Sequence, residues 1–106
     1  MNKHFLGMAL ALIAGAASAA EPRGWRLLWS DEFDGPAVDP SKWAIEDAAL
    51  VKNNEVQYYA PDEVYIEDGC LVLRSRKRST GNREFTSGLV ETRGKFSLAF
   101  GRIEIR

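Results

Sequence analysis

From Trp25 to Arg106 the apolar positions fall in short runs of β-branched and aromatic residues, broken every few positions by Gly, Pro, Asn or Asp. Such runs predict strands at Arg26 to Trp29, Glu55 to Tyr59, Glu63 to Ile66, Cys70 to Arg76, Phe85 to Thr92 and Lys95 to Arg106. Turns are predicted at Asp34-Gly35-Pro36, Pro61-Asp62, Asp68-Gly69, Thr80-Gly81-Asn82 and Arg93-Gly94. No long stretch carries the 3.6-residue period of a helix. Only Asp39-Pro40-Ser41-Lys42-Trp43 reads as a single helical turn, with Asp39 as cap and Pro40 at the first helical position. The spacing predicts an all-β, antiparallel sandwich.

The last run is the most regular. Phe96, Leu98 and Phe100 alternate with polar or small residues, and beyond Gly101 the parity reverses to Ile103 and Ile105. A glycine where a strand changes its facing predicts a bulge or a bend between packed sheets. No turn signal follows Ile105, so the terminus is expected to lie within an element.

The amino-terminal residues follow a different pattern. Lys3 and His4 precede an apolar stretch from Phe5 to Ala14, then small residues ending in Ala17-Ser18-Ala19-Ala20, then Glu21-Pro22. This is the three-part layout of a secretory signal peptide over residues 1–20, and the apolar stretch is too short for a bilayer span. Export to the periplasm or beyond the cell is therefore expected, with no membrane association once the signal is removed. Cleavage takes away Lys3 and the one histidine, which leaves 13 basic residues against 15 acidic ones. A chain so close to neutral offers no field for nucleic acid. Cys70 is the one cysteine, so no internal disulfide can form. Lying in Gly69-Cys70-Leu71-Val72-Leu73 without a basic partner, it is expected to be a small core residue.

The motifs then gain meaning together. Trp29-Ser30-Asp31-Glu32-Phe33-Asp34-Gly35, Asp39-Pro40-Ser41-Lys42-Trp43, Asn53-Asn54-Glu55-Val56-Gln57-Tyr58-Tyr59 and Asp68-Gly69-Cys70-Leu71-Val72-Leu73 come first. Phe85-Thr86-Ser87-Gly88, Gly94-Lys95-Phe96 and Gly101-Arg102-Ile103-Glu104-Ile105-Arg106 follow in order. This series resembles the beginning of a glycoside hydrolase family 16 domain of the laminarinase type, an endo-β-1,3-glucanase. The resemblance runs from about Trp25 to Arg106, assigns residues 21–106 to the N-terminal part of such a domain, and implies a concanavalin A-like β-jelly-roll whose concave sheet forms a glycan cleft, with β-glucan as the partner. It also implies hydrolysis with retention of configuration by carboxylates in a Glu-Xaa-Asp-Xaa-(Xaa)-Glu strand. Two such groups must stand about 5 to 5.5 Å apart. That motif is absent here and is expected beyond Arg106, so this chain is expected to hold an incomplete, inactive sandwich with exposed edges prone to aggregation or edge-strand pairing. Glu32-Phe33-Asp34 is the one Glu-Xaa-Asp present, and Pro36-Ala37 stands where a second glutamate would follow.

For binding, the resemblance implies that Asn53, with Asn54 beside it, faces the cleft. The residues by themselves equally fit a turn, since asparagine tolerates left-handed geometry. Tyr58 and Tyr59 should point to opposite faces, and Trp25, Trp29 and Trp43 read as core. The chemistry needs no cofactor, but family likeness implies a structural calcium, for which Glu32 and the Gly69 carbonyl would supply part of the ligand set. Glu63 and Glu67 read as the solvated side of an exposed strand, and Arg74, Arg76, Lys77 and Arg78 as a solvated hairpin end. Two other classes remain open on the residues alone: a non-catalytic carbohydrate-binding β-module, and a small exported structural or interaction protein.

Overall fold

The computed structural model describes residues 23–106; the expected signal peptide lies outside the described residues. Seven short strands follow in chain order: β1 (Ala44–Ile45), β2 (Gln57–Tyr59), β3 (Val64–Glu67), β4 (Cys70–Leu73), β5 (Ser75–Thr80), β6 (Arg83–Ser87) and β7 (Val90–Glu91). They form three ladders, β1 with β7, β3 with β4, and a three-stranded sheet in the order β2-β6-β5. The described fold is all-β with partial sheets. Segment 44–48 links two ladders, because Ala44 and Ile45 pair with β7 while Ala48 exchanges two backbone hydrogen bonds with Tyr59 at 2.9 and 3.1 Å.

Two hairpins follow directly from local chemistry. Asp68 and Gly69 turn between β3 and β4 with φ of 51° and 72°, and Gly81 and Asn82 turn between β5 and β6 with φ of 52° and 63°. Positive φ at both central residues matches the right-handed twist of the strands they join. At Asp39 the expected helical turn forms: its Oδ1 accepts from the Ser41 N–H at 2.8 Å, and its carbonyl accepts from Lys42 and Trp43. The hydrogen bonds from the Ser41 hydroxyl and amide hold the Asp39 carboxyl below its ordinary value.

Long-range packing overrides the pattern elsewhere. The run Cys70 to Arg76 divides at Arg74, since β4 pairs with β3 and β5 with β6. Phe85 to Thr92 divides at Gly88, between β6 and β7. Both breaks meet at Glu63, which closes the 3-10 turn Pro61–Glu63 and is fully shielded from solvent. Its carbonyl accepts from the Arg74 N–H at 2.8 Å, and a side chain at Gly88 would begin 2.5 Å from that same oxygen. The expected solvated glutamate is therefore a buried one.

Its carboxylate is fully partnered. Oε2 accepts from Arg74 Nε at 2.6 Å, while Oε1 accepts from Arg76 Nε at 2.7 Å and from the Thr86 hydroxyl at 2.8 Å. Arg78 adds a contact at 3.2 Å and grips exposed Asp62 through both guanidinium nitrogens. Arg74, Arg76 and Arg78 alternate along the chain, so they share one side, and the basic run is an ion-pair surface instead of a solvated tip. Burial alone would push the Glu63 carboxyl up; the hydrogen bonds from Arg74, Arg76 and Thr86 outweigh it and hold the group down at about 2.

Four further expectations are corrected. Strands β2 and β6 run parallel, with Gln57, Tyr58 and Tyr59 opposite Phe85, Thr86 and Ser87, because the connection between them crosses through β3, β4 and β5. Lys95 to Arg106 forms no strand among the described residues, and Phe100 and Ile105 are 91% and 93% exposed. Alternation states where side chains would point, but a strand also needs a neighbour for its N–H and C=O groups. Arg26 to Trp29 likewise takes no part in a ladder. Finally, Cys70 is exposed, since it opens β4 directly after the turn.

A second cluster lies apart from the sheets. Trp29 meets Trp43 edge-on at 5.1 Å and stacks on Phe96 at 5.5 Å, and Phe33 stacks on Trp43 at 6.2 Å. Asp31 ties this cluster to the backbone by accepting from Trp43 Nε1 at 2.7 Å and from the Phe33 N–H at 2.9 Å. Trp25 stays outside it and is half exposed.

Two outcomes follow. Gly88→Ala places a methyl against a backbone oxygen that cannot swing aside, so urea unfolding should show a loss of about 1–3 kcal/mol; Gly35→Ala, whose added methyl would meet only an ordinary contact at 3.5 Å, should lose less. Because Glu63 binds its proton less readily folded than unfolded, its stabilisation is present above about pH 4.5 and is lost as the pH falls toward about 2. The urea midpoint should drop through that window, and Glu63→Gln should be less stable near neutrality and show a smaller acid drop.

Candidate functional site

The β2-β6-β5 sheet has two differently used faces. Register places Tyr58, Thr86 and Arg76 on one side, where Thr86 and Arg76 reach Glu63. On the other side stand Gln57, Phe85 and Lys77 in one row and Tyr59, Ser87 and Ser75 in the next. An open groove of about 420 Å³ runs along this side, lined by Val56, Gln57, Ser75, Lys77, Phe85 and Ser87, with Arg76 and Thr86 also contributing. Phe85 remains 40% exposed there, and the hydroxyls of Ser75 and Ser87 meet at 2.8 Å. An exposed ring beside amides and hydroxyls suits a neutral ligand that has both an apolar face and hydroxyl groups.

The loop entering β2 carries the two asparagines. Asn53 and Asn54 are both exposed and both left-handed, with φ of 60° and 53°. Their conformation satisfies the turn reading through the backbone alone. The two side-chain amides make no hydrogen bond among the described residues, so they remain available as paired donors and acceptors. Next to them, Glu55 holds Oε2 out of solvent with no hydrogen-bond partner among the described residues. A shielded acceptor of this kind is uncommon and fits a hydroxyl donor.

The tyrosines separate as expected. Tyr59 is buried, its hydroxyl accepting from Gln57 Nε2 at 3.0 Å. Tyr58 donates to Asp47 Oδ1 at 2.7 Å, which raises its phenol above the ordinary value, and its ring lies where a side chain at Gly81 would stand.

The carboxylates near the amino-terminal loop are differently arranged. A cleft of about 310 Å³ is lined by residues that include Asp31, Glu32, Asp34, Asp39 and Lys42. Lys42 Nζ donates to the Ser30 carbonyl at 2.6 Å. Glu32-Phe33-Asp34 is not in a strand, and Phe33 takes φ of 55°, so the two carboxylates are not set side by side on a strand face. Glu32 instead faces Arg106 at 3.6 Å. Gly69 lies in the β3-β4 turn, and no group of three or more His, Cys, Asp or Glu able to hold a metal occurs among the described residues.

Sequence reasoning missed Glu63 and Arg83. Arg83 reaches two carbonyls of the asparagine loop, those of Leu50 at 3.0 Å and Glu55. The parity of Arg74, Arg76 and Arg78 was the available signal for a buried counter-charge. No local signal marked Arg83, whose partners lie 28 and 33 residues away.

No family model matches the chain. It is 39% identical over 87 residues to a β-glucanase of Rhodothermus marinus, covering 77% of this chain and 30% of that protein. The solved laminarinase of Rhodothermus marinus matches 73% of this chain and 33% of its own length, with TM-score 0.66 and 37% identity. A solved non-specific endo-β-1,3(4)-glucanase from family GH16, co-crystallised with 1,3-β-D-cellotriosyl-glucose, matches with TM-score 0.59 and 34% identity over 73% of this chain and 35% of that one. The chain thus spans about a third of the length of these relatives. In sequence and in its all-β fold, the chain matches a part of the jelly-roll domain of glycoside hydrolase family 16 proteins of the laminarinase type.

Proposed function

We propose that residues 21–106 form a glucan-contacting part of an exported hydrolase domain that cleaves β-1,3-glucan with retention of configuration, and that this chain alone binds glucan without cleaving it. The observation that carries the reading is the Asn53-Asn54 pair, exposed and unpartnered at the entry to β2 in a chain similar to laminarinases. An amide donates and accepts at once, which suits the adjacent hydroxyls of a sugar ring. The exposed ring of Phe85 and the hydroxyls of Ser75 and Ser87 extend a half-apolar, hydroxyl-bearing surface with Lys77 beside it.

Retaining hydrolysis needs one carboxylate to attack the anomeric carbon and a second, protonated one to protonate the leaving oxygen. Three of the carboxyl groups described above are otherwise engaged: Glu63 by arginines, Asp31 by Trp43 and the Phe33 amide, and Glu32 by Arg106. Glu63 is also kept ionised and shielded, which suits neither role. These engagements support binding without hydrolysis. The layout of residues 1–20 supports export.

The purified chain should be retarded in a laminarin-containing gel, lose that retardation on Asn53→Ala, and release no reducing sugar from laminarin. Sugar release would overturn the inactivity, and unchanged migration of the variant would overturn the binding role. When the chain is expressed with residues 1–20 in a secreting bacterium, the exported product should begin at Ala20 or Glu21. Recovery of only the Met1 form from the cytosol would contradict export.

A further inference from the structure

The conformation of the asparagine loop is not explained by its own residues. Two consecutive non-glycine residues in the left-handed region are unfavourable, and such backbone persists only where its surroundings hold it. Within the loop, the backbone hydrogen bond that closes it runs from the Glu55 N–H to the Lys52 carbonyl at 3.4 Å, which is long. The stronger hold comes from elsewhere. Arg83 opens β6, and the Gly81-Asn82 turn sets it opposite Thr80. From there its guanidinium donates through one nitrogen to the Leu50 carbonyl at 3.0 Å and through another to the Glu55 carbonyl. Those carbonyls sit at the two ends of the segment that carries Asn53 and Asn54.

The geometry points to Arg83 as a positioning residue that clamps the ends of the 50–55 loop and so fixes where the Asn53 and Asn54 amides are presented to a sugar. A planar guanidinium can serve two separated carbonyls at once, whereas an ammonium is a single point donor. The side-chain hydrogen bonds of Arg83 go to backbone carbonyls of the loop, so its effect on a ligand passes through the loop. It also couples the loop to the sheet, because the strand that begins at Arg83 carries Phe85 and Ser87 into the groove. This inference rests on the proposed glucan-contacting role of the asparagines.

The test uses the full chain with laminarin as probe and compares wild type, Arg83→Met, Arg83→Lys and Asn53→Ala. Arg83→Met should weaken laminarin retardation about tenfold, Arg83→Lys should weaken it less, and Asn53→Ala should add little in the Arg83→Met background. Amide hydrogen exchange should accelerate at Glu55 in Arg83→Met and stay unchanged at Thr86, a position that a general loss of structure would also expose. Wild-type affinity in Arg83→Met, or a full and independent effect of Asn53→Ala in that background, would overturn the inference. If Arg83→Met loses protection at Thr86 as well, the lysine variant decides: intermediate affinity supports the clamp, and wild-type affinity overturns it. If the wild-type chain itself ignores laminarin, the proposed function fails, and exchange at Glu55 still decides whether Arg83 holds the loop.

Discussion

A single buried carboxylate, Glu63, sets the terms for the rest of the described structure. Shielding a charge is costly unless every lone pair finds a donor, and here Arg74, Arg76, Arg78 and Thr86 supply them. Those partners come from the residue between β4 and β5, from β5 and from β6, so the carboxylate can be satisfied only if these elements converge. The same residue draws in backbone. Its carbonyl takes the Arg74 N–H at the point where the chain leaves one ladder for another, and it leaves no room for a side chain at Gly88. Removing the carboxylate would strand three guanidinium groups around the space it filled.

This anchoring has a consequence on the opposite side of the sheet. Thr86 and Arg76 are drawn toward Glu63, and strand alternation then turns Phe85, Ser87, Ser75 and Lys77 toward the groove. The polar, half-aromatic groove and the ion-pair network are therefore two faces of one ladder. Likeness to family 16 laminarinases gives that groove its context, and the asparagine loop lies at the head of β2, the strand that brings Gln57 to it. Tyr59, buried and bonded to Gln57, and Tyr58, bonded to Asp47, lie in the strand that follows the loop.

How much could be read from the chain depended on the range of the physics. Turns at Asp68-Gly69, Gly81-Asn82 and Asp39-Pro40 are settled by a few adjacent residues, and the structure matches them. The strands around Tyr58, Ile66 and Val72 were legible for the same reason. The breaks at Arg74 and Gly88 were not, because each is imposed by Glu63 from 11 and 25 positions away, and no local turn residue marks Arg74. Lys95 to Arg106 shows the reverse failure: a regular alternation predicts a strand, yet among the described residues no neighbour completes its hydrogen bonding. At the site, Asn53 and Asn54 were visible from the residues, but Arg83, which holds their loop, was not.

The central claim is that Glu63 holds two ladders together through both its carboxylate and its carbonyl. Site-resolved amide hydrogen exchange on the chain and on Glu63→Gln tests it most directly, read at the Arg74 N–H and the Gly88 N–H, which bond to Glu63 O and Arg74 O at 2.8 and 3.0 Å. The account predicts that both amides lose protection together in the variant while the β3-β4 hairpin, whose ladder does not use the carboxylate, keeps its own. Unchanged protection at Arg74 and Gly88 would contradict it.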